Sequence, residues 1–338
     1  MSEGTPLSVA DAAEEAGRSP RNPHFDDGLV VWRDEFSGRY DPPPSGYAEQ
    51  FDLQWHLALR RDDYYDYQGA SVDDRSIADR VYEWTGRHPH GAEAAEADGF
   101  RVLDRPIDPA LIAGKDCIDI GCGMGRWTRT VQALGAASVL SVDMSASALE
   151  SVARFNESVR QVDVMSIPSE HPDLVGRFDF AVFWGVAMCT HDPLRAFMSA
   201  ASTVKPGGAM YLMVYGPEGM HAAPLVNRQR ARFARLGTVE ERLAYVEHVY
   251  DRRWDAAYPL HENLKNVLRN VLRRPKGGKI GVLDMLEPYY NWVIPYPVVE
   301  GWMARAGFAE MRFLNEHERP KVAYHVLGVK PVSDRPGG

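Results

Sequence analysis

A glycine-rich segment, KDCIDIGCGMGRW at residues 115–127, carries the residue types best suited to chemistry in this chain. Apolar residues around Asp119 lead into a turn that contains Gly121, Gly123 and Gly125, and a helical pattern follows. Glycine adopts backbone angles that are closed to other residues, and it lets a ligand approach the main chain. The helix N-terminus adds unpaired N–H donors and a partial positive charge. The segment therefore predicts a nucleotide-binding corner.

The spacing of the glycines separates two classes of nucleotide site. The dinucleotide fingerprint G-x-G-x-x-G would place its third glycine at position 126, where this chain has Arg126. The pattern here, from Asp119 to Gly125, is D-x-G-x-G-x-G. It resembles the first motif of class I S-adenosylmethionine-dependent methyltransferases, in which this loop holds the methionyl part of the cofactor. A generic glycine turn of another α/β protein is the alternative for this motif taken alone.

Later segments resemble further motifs of the same superfamily, in the same order. A second strand, predicted over 137–142, ends in Asp143, and an acidic residue there accepts ribose hydroxyls in both NAD and S-adenosylmethionine folds. The alternative role of Asp143 is to cap the next helix. A third strand over 159–164 has Asp163 at its end, and a fourth, FDFAVFW, ends in Trp184.

The resemblance implies four groups of cofactor-binding residues. The first holds the methionyl part of S-adenosylmethionine, the second its ribose, the third its adenine, and the fourth faces the cofactor near the sulfonium. In that order, the residues are Asp119, Gly121, Gly123 and Gly125; Asp143 with Met144; Asp163 with Val164; and Trp184.

His191 is the candidate catalytic base. It follows the fourth strand, where the methyl group should lie, and imidazole has an unperturbed pKa near ~6.5 that suits proton removal. The alternative is that His191 only orders the turn before residues 192–193. Aromatic residues that could close the site, by excluding water and stabilising a cation, are Trp55, Tyr64, Tyr65 and Tyr67.

The elements that must position these residues predict an α/β fold. We expect a Rossmann-like sheet of seven strands, mostly parallel, with an antiparallel final hairpin and helices on both faces. The last two strands are predicted over 308–314 and 321–330, and the link 315–320 is too short for a crossover helix, so they pair antiparallel. Class I methyltransferases end in a similar hairpin, whereas a dinucleotide fold more usually continues with strand–helix units.

Composition and pattern divide the chain into a tail, a cap, the sheet domain and an insertion. The cap is helical and aromatic, the insertion after the fifth strand is mainly helical, and we expect it to cover the substrate site. The predicted ranges are a disordered tail at 1–28, the cap at 29–110, the S-adenosylmethionine-binding domain at 111–216 and 296–331, and the insertion at 217–295.

Composition limits the functional classes. The 338 residues carry a net charge of -9, which argues against a general nucleic-acid binder without excluding a local basic groove. Basic clusters at 228–235 and 269–279 are either solvated helix faces or a site for a substrate carboxylate or phosphate. No run approaches the roughly 20 apolar residues of a membrane span. The polar, acidic N-terminus and three cysteines without C-x-x-C spacing predict a cytoplasmic protein with buried thiols and no metal site.

These observations predict an enzyme that uses S-adenosylmethionine and releases S-adenosylhomocysteine. We expect in-line attack on the sulfonium methyl by a small-molecule acceptor, in the biosynthesis of a specialised metabolite. The D/N-P-P-Y/F motif of many amino-directed nucleic-acid and glutamine methyltransferases is absent after the fourth strand, so no nucleic-acid partner is expected. A homo-oligomer is compatible with the aromatic N-terminal segment. The alternatives are a methyltransferase of RNA or protein, an NAD-binding oxidoreductase, and a non-catalytic nucleotide-binding module.

Overall fold

A seven-stranded β-sheet with the strand order β3-β2-β1-β4-β5-β7-β6 forms the centre of the computed structural model. The structure describes residues 48–61, 64, 72–88, 90–97, 101–219, 224–251, 254–272, 278–288 and 290–332. The strands are β1 (Asp116–Ile120), β2 (Ser138–Asp143), β3 (Val159–Gln161), β4 (Phe178–Trp184), β5 (Val204–Tyr215), β6 (Glu310–Phe313) and β7 (Ala323–Val329).

The first five strands pair in parallel, and β7 runs antiparallel to both β5 and β6. This arrangement confirms the predicted Rossmann-like sheet and its final hairpin. The fourth strand has the predicted bounds.

Helices surround the sheet and extend beyond it. They are α1 (Ala48–Arg60), α2 (Asp74–Thr85), α3 (Ala92–Ala97), α4 (Arg126–Ala133), α5 (Ala146–Val152), α6 (Ile167–Glu170), α7 (Pro193–Ser202), α8 (Pro224–Phe233), α9 (Val239–Asp251), α10 (Leu260–Leu272), α11 (Lys279–Leu286) and α12 (Tyr296–Arg305). Helices α8 to α11 stand between β5 and α12, where the helical insertion was expected. None of the described helices has the length and hydropathy that a membrane crossing requires.

Both faces of the sheet are covered, because alternate residues of β4 enter different apolar clusters. Phe180 and Val182 pack with Trp84 of α2 and Trp127 of α4. The neighbouring residues of β4 pack with Phe197 of α7 and with α12. Continuous apolar residues are typical of a strand that is buried on both faces. The central strands are thus packed between helices on both faces, and their carboxyl ends lie together at one edge of the sheet.

Helix α1 lies between the sheet domain and the insertion. Asp52 accepts hydrogen bonds from the Ser145 hydroxyl (2.7 Å) and the Ser147 backbone N–H (2.8 Å), at the N-terminus of α5. On its other side, Leu57 shares an apolar cluster with residues of the insertion, among them Phe233 and Leu283. Helix α1 and the insertion therefore form one connected layer over the carboxyl end of the sheet.

Several predicted bounds differ from the structure. Strand β3 ends at Gln161, and Asp163 instead caps a short 3-10 turn by accepting a hydrogen bond from the Met165 N–H (2.9 Å). Strand β5 starts at Val204 and includes the segment K-P-G-G at 205–208, which lies at a register irregularity against β4. Helices α3 and α11 were not predicted. The domain boundaries stay a prediction, and the tail at 1–28 lies outside the described residues.

Candidate active site

A cavity of about 460 Å³ lies at the carboxyl ends of the parallel strands. Its floor is formed by the turn after β1 and by the ends of β2, β4 and β5, and α1, α2, α11 and the start of β7 supply the remaining walls. Strands β2 and β4 flank β1 on opposite sides, so the chain order of the strands reverses there. Open α/β sheets bind their ligands at such switch points, outside the carboxyl ends of the strands.

The glycine turn faces the cavity through Gly121 and Gly123, which both have positive φ angles, of 72° and 51°. A Cβ atom on Gly123 would lie 2.9 Å from Cζ2 of Trp55, and one on Gly121 would lie 2.3 Å from Cγ2 of Val186. Both positions therefore require glycine for conformation and for space. Gly125 is the N-cap of α4 and packs against Phe155, and it is not among the described residues that line the cavity.

Asp143 connects the end of β2 to the glycine turn, and it lines the cavity. One carboxylate oxygen accepts a hydrogen bond from the Gly123 N–H (2.9 Å) and the other accepts from the Ser145 N–H (2.8 Å). Burial raises the pKa of Asp143, and these N–H groups oppose that shift. The carboxylate thus orders the glycine turn, while the N-cap of α5 is Ser145 rather than Asp143. Asp143 also lines the cavity in which we place the ribose.

Asp119 lies beneath the glycine turn. Thr128 of α4 donates a hydrogen bond to it (2.7 Å), and the hydroxyls of Thr128 and Ser141 lie 2.8 Å apart. Burial raises the pKa of Asp119 to about 7. Asp119 is not among the described residues that line the cavity. Its predicted role at the methionyl group stays a prediction, and its observed contacts join β1, α4 and β2.

The other predicted cofactor residues lie around the cavity. Met144 follows β2, Asp163 and Val164 follow β3, and Trp184 ends β4; all four line the cavity. The structure therefore brings together seven of the nine predicted cofactor residues, the exceptions being Asp119 and Gly125. Their common position follows from the parallel strands, because the carboxyl ends of such strands meet at one edge.

One part of the cavity wall is rich in hydrogen-bond donors. The indole N–H groups of Trp127 and Trp184 are buried and have no hydrogen-bond partner among the described residues. The guanidinium of Arg126 lies 4.0 Å from the centre of the Trp184 ring, and that of Arg80 lies 5.5 Å from the centre of the Trp127 ring. All four residues line the cavity. Arg80 pairs with Glu83 (2.8 Å), and Arg126 lies beside the two unpaired donors. This part of the wall suits an anionic group of a ligand.

His191 lies next to residues that line the cavity. The cavity is lined by Cys189 and Thr190, whereas the half-buried His191 is not among its described lining residues. The Thr190 carbonyl accepts a hydrogen bond from the Trp292 indole N–H (2.9 Å), which fixes the segment just before His191. The assignment of His191 as the base stays a prediction.

The aromatic residues of the predicted lid have different positions. Trp55 lines the cavity and contacts the glycine turn. Tyr64 is fully buried in the apolar cluster between α1 and the insertion, and it does not line the cavity. Tyr65 and Tyr67 lie outside the described residues.

Sequence analysis missed several residues of the cavity wall. Asp284 of α11 lines it and accepts a hydrogen bond from Gln54 (3.2 Å), which also lines it. His325 of β7 lies 2.6 Å from the Tyr211 hydroxyl, and burial lowers the pKa of this histidine. A helical spacing of four places Phe51 and Trp55 on one face of α1, and this spacing is a signal for Phe51. Nothing in the sequence pattern pointed to Asp284.

Comparison with known proteins gives a consistent result. Residues 95–257 match the family model described as a methyltransferase domain. A ubiquinone biosynthesis O-methyltransferase of Stutzerimonas stutzeri (strain A1501) is 32% identical over 151 residues, which are 42% of this chain and 63% of that protein. The enzyme of the same name from Pseudomonas aeruginosa (strain LESB58) is 34% identical over 152 residues, with the same shares of both chains. The chain thus spans less than two thirds of the length of these relatives.

Among solved structures, a Thermotoga maritima methyltransferase described as a possible histamine N-methyltransferase aligns with 65% of this chain and 84% of that chain. The sequence identity is 14%, and the TM-score is 0.37.

Proposed function

We propose that this chain transfers a methyl group from S-adenosylmethionine to a small-molecule acceptor. The proposal proceeds from the match of residues 95–257 to the methyltransferase-domain model and from the Rossmann-like sheet with its antiparallel final hairpin. One observation supports this proposal above the others. The glycine turn and the ends of β2 and β4 line one side of the cavity, and α1 and α11 line the opposite side. When bound, S-adenosylmethionine supplies an electrophilic methyl group on sulfur and leaves as S-adenosylhomocysteine.

The residues of the cavity fit this cofactor. Gly121 and Gly123 line the cavity, and because they carry no side chains, Val186 and Trp55 can pack directly against the turn at its edge. In our proposal Asp143 binds the ribose hydroxyls with its remaining lone pairs, and Met144 lies beside the adenine. The adenine amino group is bound by Asp163, with a backbone contact from Val164. Asp119 and Gly125 act on the methionyl group through the shape of the turn.

The donor-rich wall is our candidate site for the carboxylate of the methionyl group. Arg126 would offset its charge, and the indole N–H groups of Trp127 and Trp184 would donate to its oxygens. Charge-assisted hydrogen bonds of this kind are roughly twice as strong as neutral ones. Trp184 would then lie between the carboxylate and the sulfonium.

The roof over the cavity favours a small acceptor. Phe51, Gln54 and Trp55 of α1 and Ile280 and Asp284 of α11 close the side opposite the strand ends. A roofed, largely apolar cavity keeps water from the reacting atoms and positions the acceptor for in-line attack. The curated relatives are named O-methyltransferases of ubiquinone biosynthesis. We further propose that the acceptor is a specialised metabolite and that the reaction takes place in the cytoplasm.

Two measurements test the proposed function. Calorimetric titration should give specific binding of S-adenosylhomocysteine that reduced NAD does not displace. With methyl-tritiated S-adenosylmethionine and a cell extract, label should enter the acid-soluble fraction. Label in the acid precipitate would instead indicate RNA or protein as the acceptor, and displacement by reduced NAD would indicate an oxidoreductase. Binding without any transfer would indicate a non-catalytic module.

A further inference from the structure

Asp284 is the carboxylate that the insertion contributes to the cavity wall. It lies one helical turn after Ile280 on α11, and both residues face the cavity, as their spacing of four requires. Thr190, in the segment after β4, and Tyr215, the last residue of β5, line the same cavity. Asp284 therefore belongs to the part of the cavity that lies over the strand ends, where the acceptor should bind.

Gln54 of α1 orients this carboxylate. Its amide N–H group donates to Oδ1 of Asp284 (3.2 Å), and Gln54 is 1% exposed. The amide oxygen of Gln54 is buried and has no hydrogen-bond partner among the described residues. Gln54 donates to Oδ1 of Asp284, and the carboxylate lines the cavity. A buried acceptor without a donor beside a carboxylate indicates a ligand that supplies its own hydrogen-bond donor.

The charges around Asp284 favour a neutral hydroxyl over an amine. The guanidinium groups of Arg126 and Arg230 both act on this carboxylate, and they would repel an ammonium group in the same place. Burial raises the pKa of Asp284, while the Gln54 hydrogen bond and the two arginines oppose the shift. Burial also raises the pKa values of Tyr215 and Cys189, so neither is a ready proton acceptor. Asp284 is thus the group in this cluster best able to take a proton.

The aromatic side chains of the cavity indicate the shape of the acceptor. Phe51, Trp55, Trp184 and Tyr215 all line it, and ring faces favour contact with a planar ring. A phenol combines such a ring with the hydrogen-bond donor that Asp284 and Gln54 lack.

Given the proposed function, we propose that the acceptor is a phenolic hydroxyl and that Asp284 takes its proton during methyl transfer. The acceptor O–H bond breaks, and the proton passes to Oδ2 of Asp284. The acceptor oxygen forms a bond to the methyl carbon as the bond from that carbon to sulfur breaks, and the electron pair of the broken bond stays on sulfur. The proton then leaves Asp284 for solvent when the product departs.

The test compares the wild type with Asp284→Asn, Asp284→Glu and a matched control, Glu287→Gln. Glu287 directly follows α11, its side chain is 4% exposed, and burial raises its pKa to about 6. It pairs with Arg242 (3.2 Å) and is not among the described residues that line the cavity. All four proteins should bind S-adenosylhomocysteine with the same affinity. A wild type that does not bind it contradicts the proposed function itself.

The probe is 4-nitrocatechol, titrated into the S-adenosylhomocysteine complex at a pH where the free probe is a phenolate. A phenolate and a carboxylate side by side cannot both stay charged, so binding should take up about one proton in the wild type and in Glu287→Gln. Calorimetry in buffers with different ionisation enthalpies measures this uptake. Asp284→Asn should take up none. Equal uptake in Asp284→Asn, or no binding of the probe by the wild-type complex, would overturn the proposal.

Methyl transfer to the same probe gives a second readout. Asp284→Asn should lower kcat by about 10²–10⁴-fold, the usual contribution of a general base, with little change in the KM of S-adenosylmethionine. Asp284→Glu should restore part of the rate, because it keeps the carboxylate. An unchanged kcat in Asp284→Asn, or no transfer by the wild type, would contradict the assignment.

Discussion

At the scale of single residues, the site depends on acidic groups whose surroundings differ. Asp143 receives two backbone N–H groups at the cavity wall, whereas Asp119 receives the Thr128 hydroxyl beneath it. Burial raises the pKa of both carboxyls. The same residue type thus serves two purposes, and a separate substitution tests each of them.

Replacing Asp143 with Ala should weaken the binding of S-adenosylhomocysteine by about 1–3 kcal/mol, the scale for a lost buried hydrogen-bond partner. The change removes the ribose contact and the acceptor that orders the Gly123 N–H. Calorimetric titration measures the affinity. Asp173→Ala is the control, because that carboxylate is half exposed and pairs with Arg160 outside the cavity. Equal affinity of the Asp143 variant and the wild type would contradict the ribose assignment.

Asp119 should make the stability of the protein depend on pH. Its pKa rises from 3.8 to about 7 on folding, so the native state binds the extra proton between these values. The free energy of unfolding should therefore fall, by about 1.4 kcal/mol per pH unit at most, as the pH rises from about 4 to 7, and it should then level off. Urea titrations of wild type and Asp119→Asn measure the difference.

The Asp119→Asn variant should lack this fall in stability, because its amide does not ionise. Asp116→Asn, at the exposed start of β1, should keep the wild-type pH profile. Parallel pH profiles of wild type and Asp119→Asn would show that Asp119 is not the group responsible.

At the scale of elements, the glycine turn and α1 depend on each other. Gly123 has a φ of 51°, and the Trp55 ring lies over it so closely that no side chain fits between them. Helix α1 is held there by Asp52 at the N-terminus of α5 and by its contact with α11. The turn is therefore formed locally, while the wall above it comes from a distant part of the chain.

Gly123→Ala should lower the affinity for S-adenosylhomocysteine at least about tenfold, because the new methyl group displaces Trp55 and strains the turn. Gly176→Ala is the matched control: Gly176 also has a positive φ, of 62°, but no atom lies within 4 Å of the place that a methyl group would take there. Both variants should lose some stability, and only the Gly123 variant should lose affinity. A similar loss of affinity in both would point to general strain.

At the scale of the whole molecule, the cavity joins parts of the chain that are far apart in sequence. The strand ends supply its floor, and α1, α2, α11 and β7 supply its walls. A ligand that contacts all of these parts must link them energetically, and at 100 times its Kd it adds about 2.7 kcal/mol to the free energy of unfolding.

Saturating S-adenosylhomocysteine should therefore slow backbone hydrogen exchange in α1 and α11, whose side chains face the cavity. Helix α9, which contributes no described residue to the wall, should change less. Mass spectrometry of peptides from the three helices measures the effect. Equal protection of all three would indicate general stabilisation, and no protection of α1 and α11 would contradict their contact with the bound ligand.

The amino-acid sequence by itself determined the sheet, the glycine turn and the strand ends. Their signals are local: glycines at fixed spacing, apolar strands, and acidic residues at a strand end, as at Asp143, or just after one, as at Asp163. Parallel pairing brings these ends together whatever the rest of the chain does, so most predicted cofactor residues line one cavity.

Only the tertiary structure decided what covers the strand ends. Asp284 and Gln54 are 230 positions apart and meet only because α1 packs against the insertion. For the same reason His191, chosen for its closeness in sequence to β4, lies beyond the lining residue Thr190, while Asp284 faces the cavity. The positions of these side chains are set by packing between apolar faces that are distant in sequence, and residue spacing does not predict which faces will pack together.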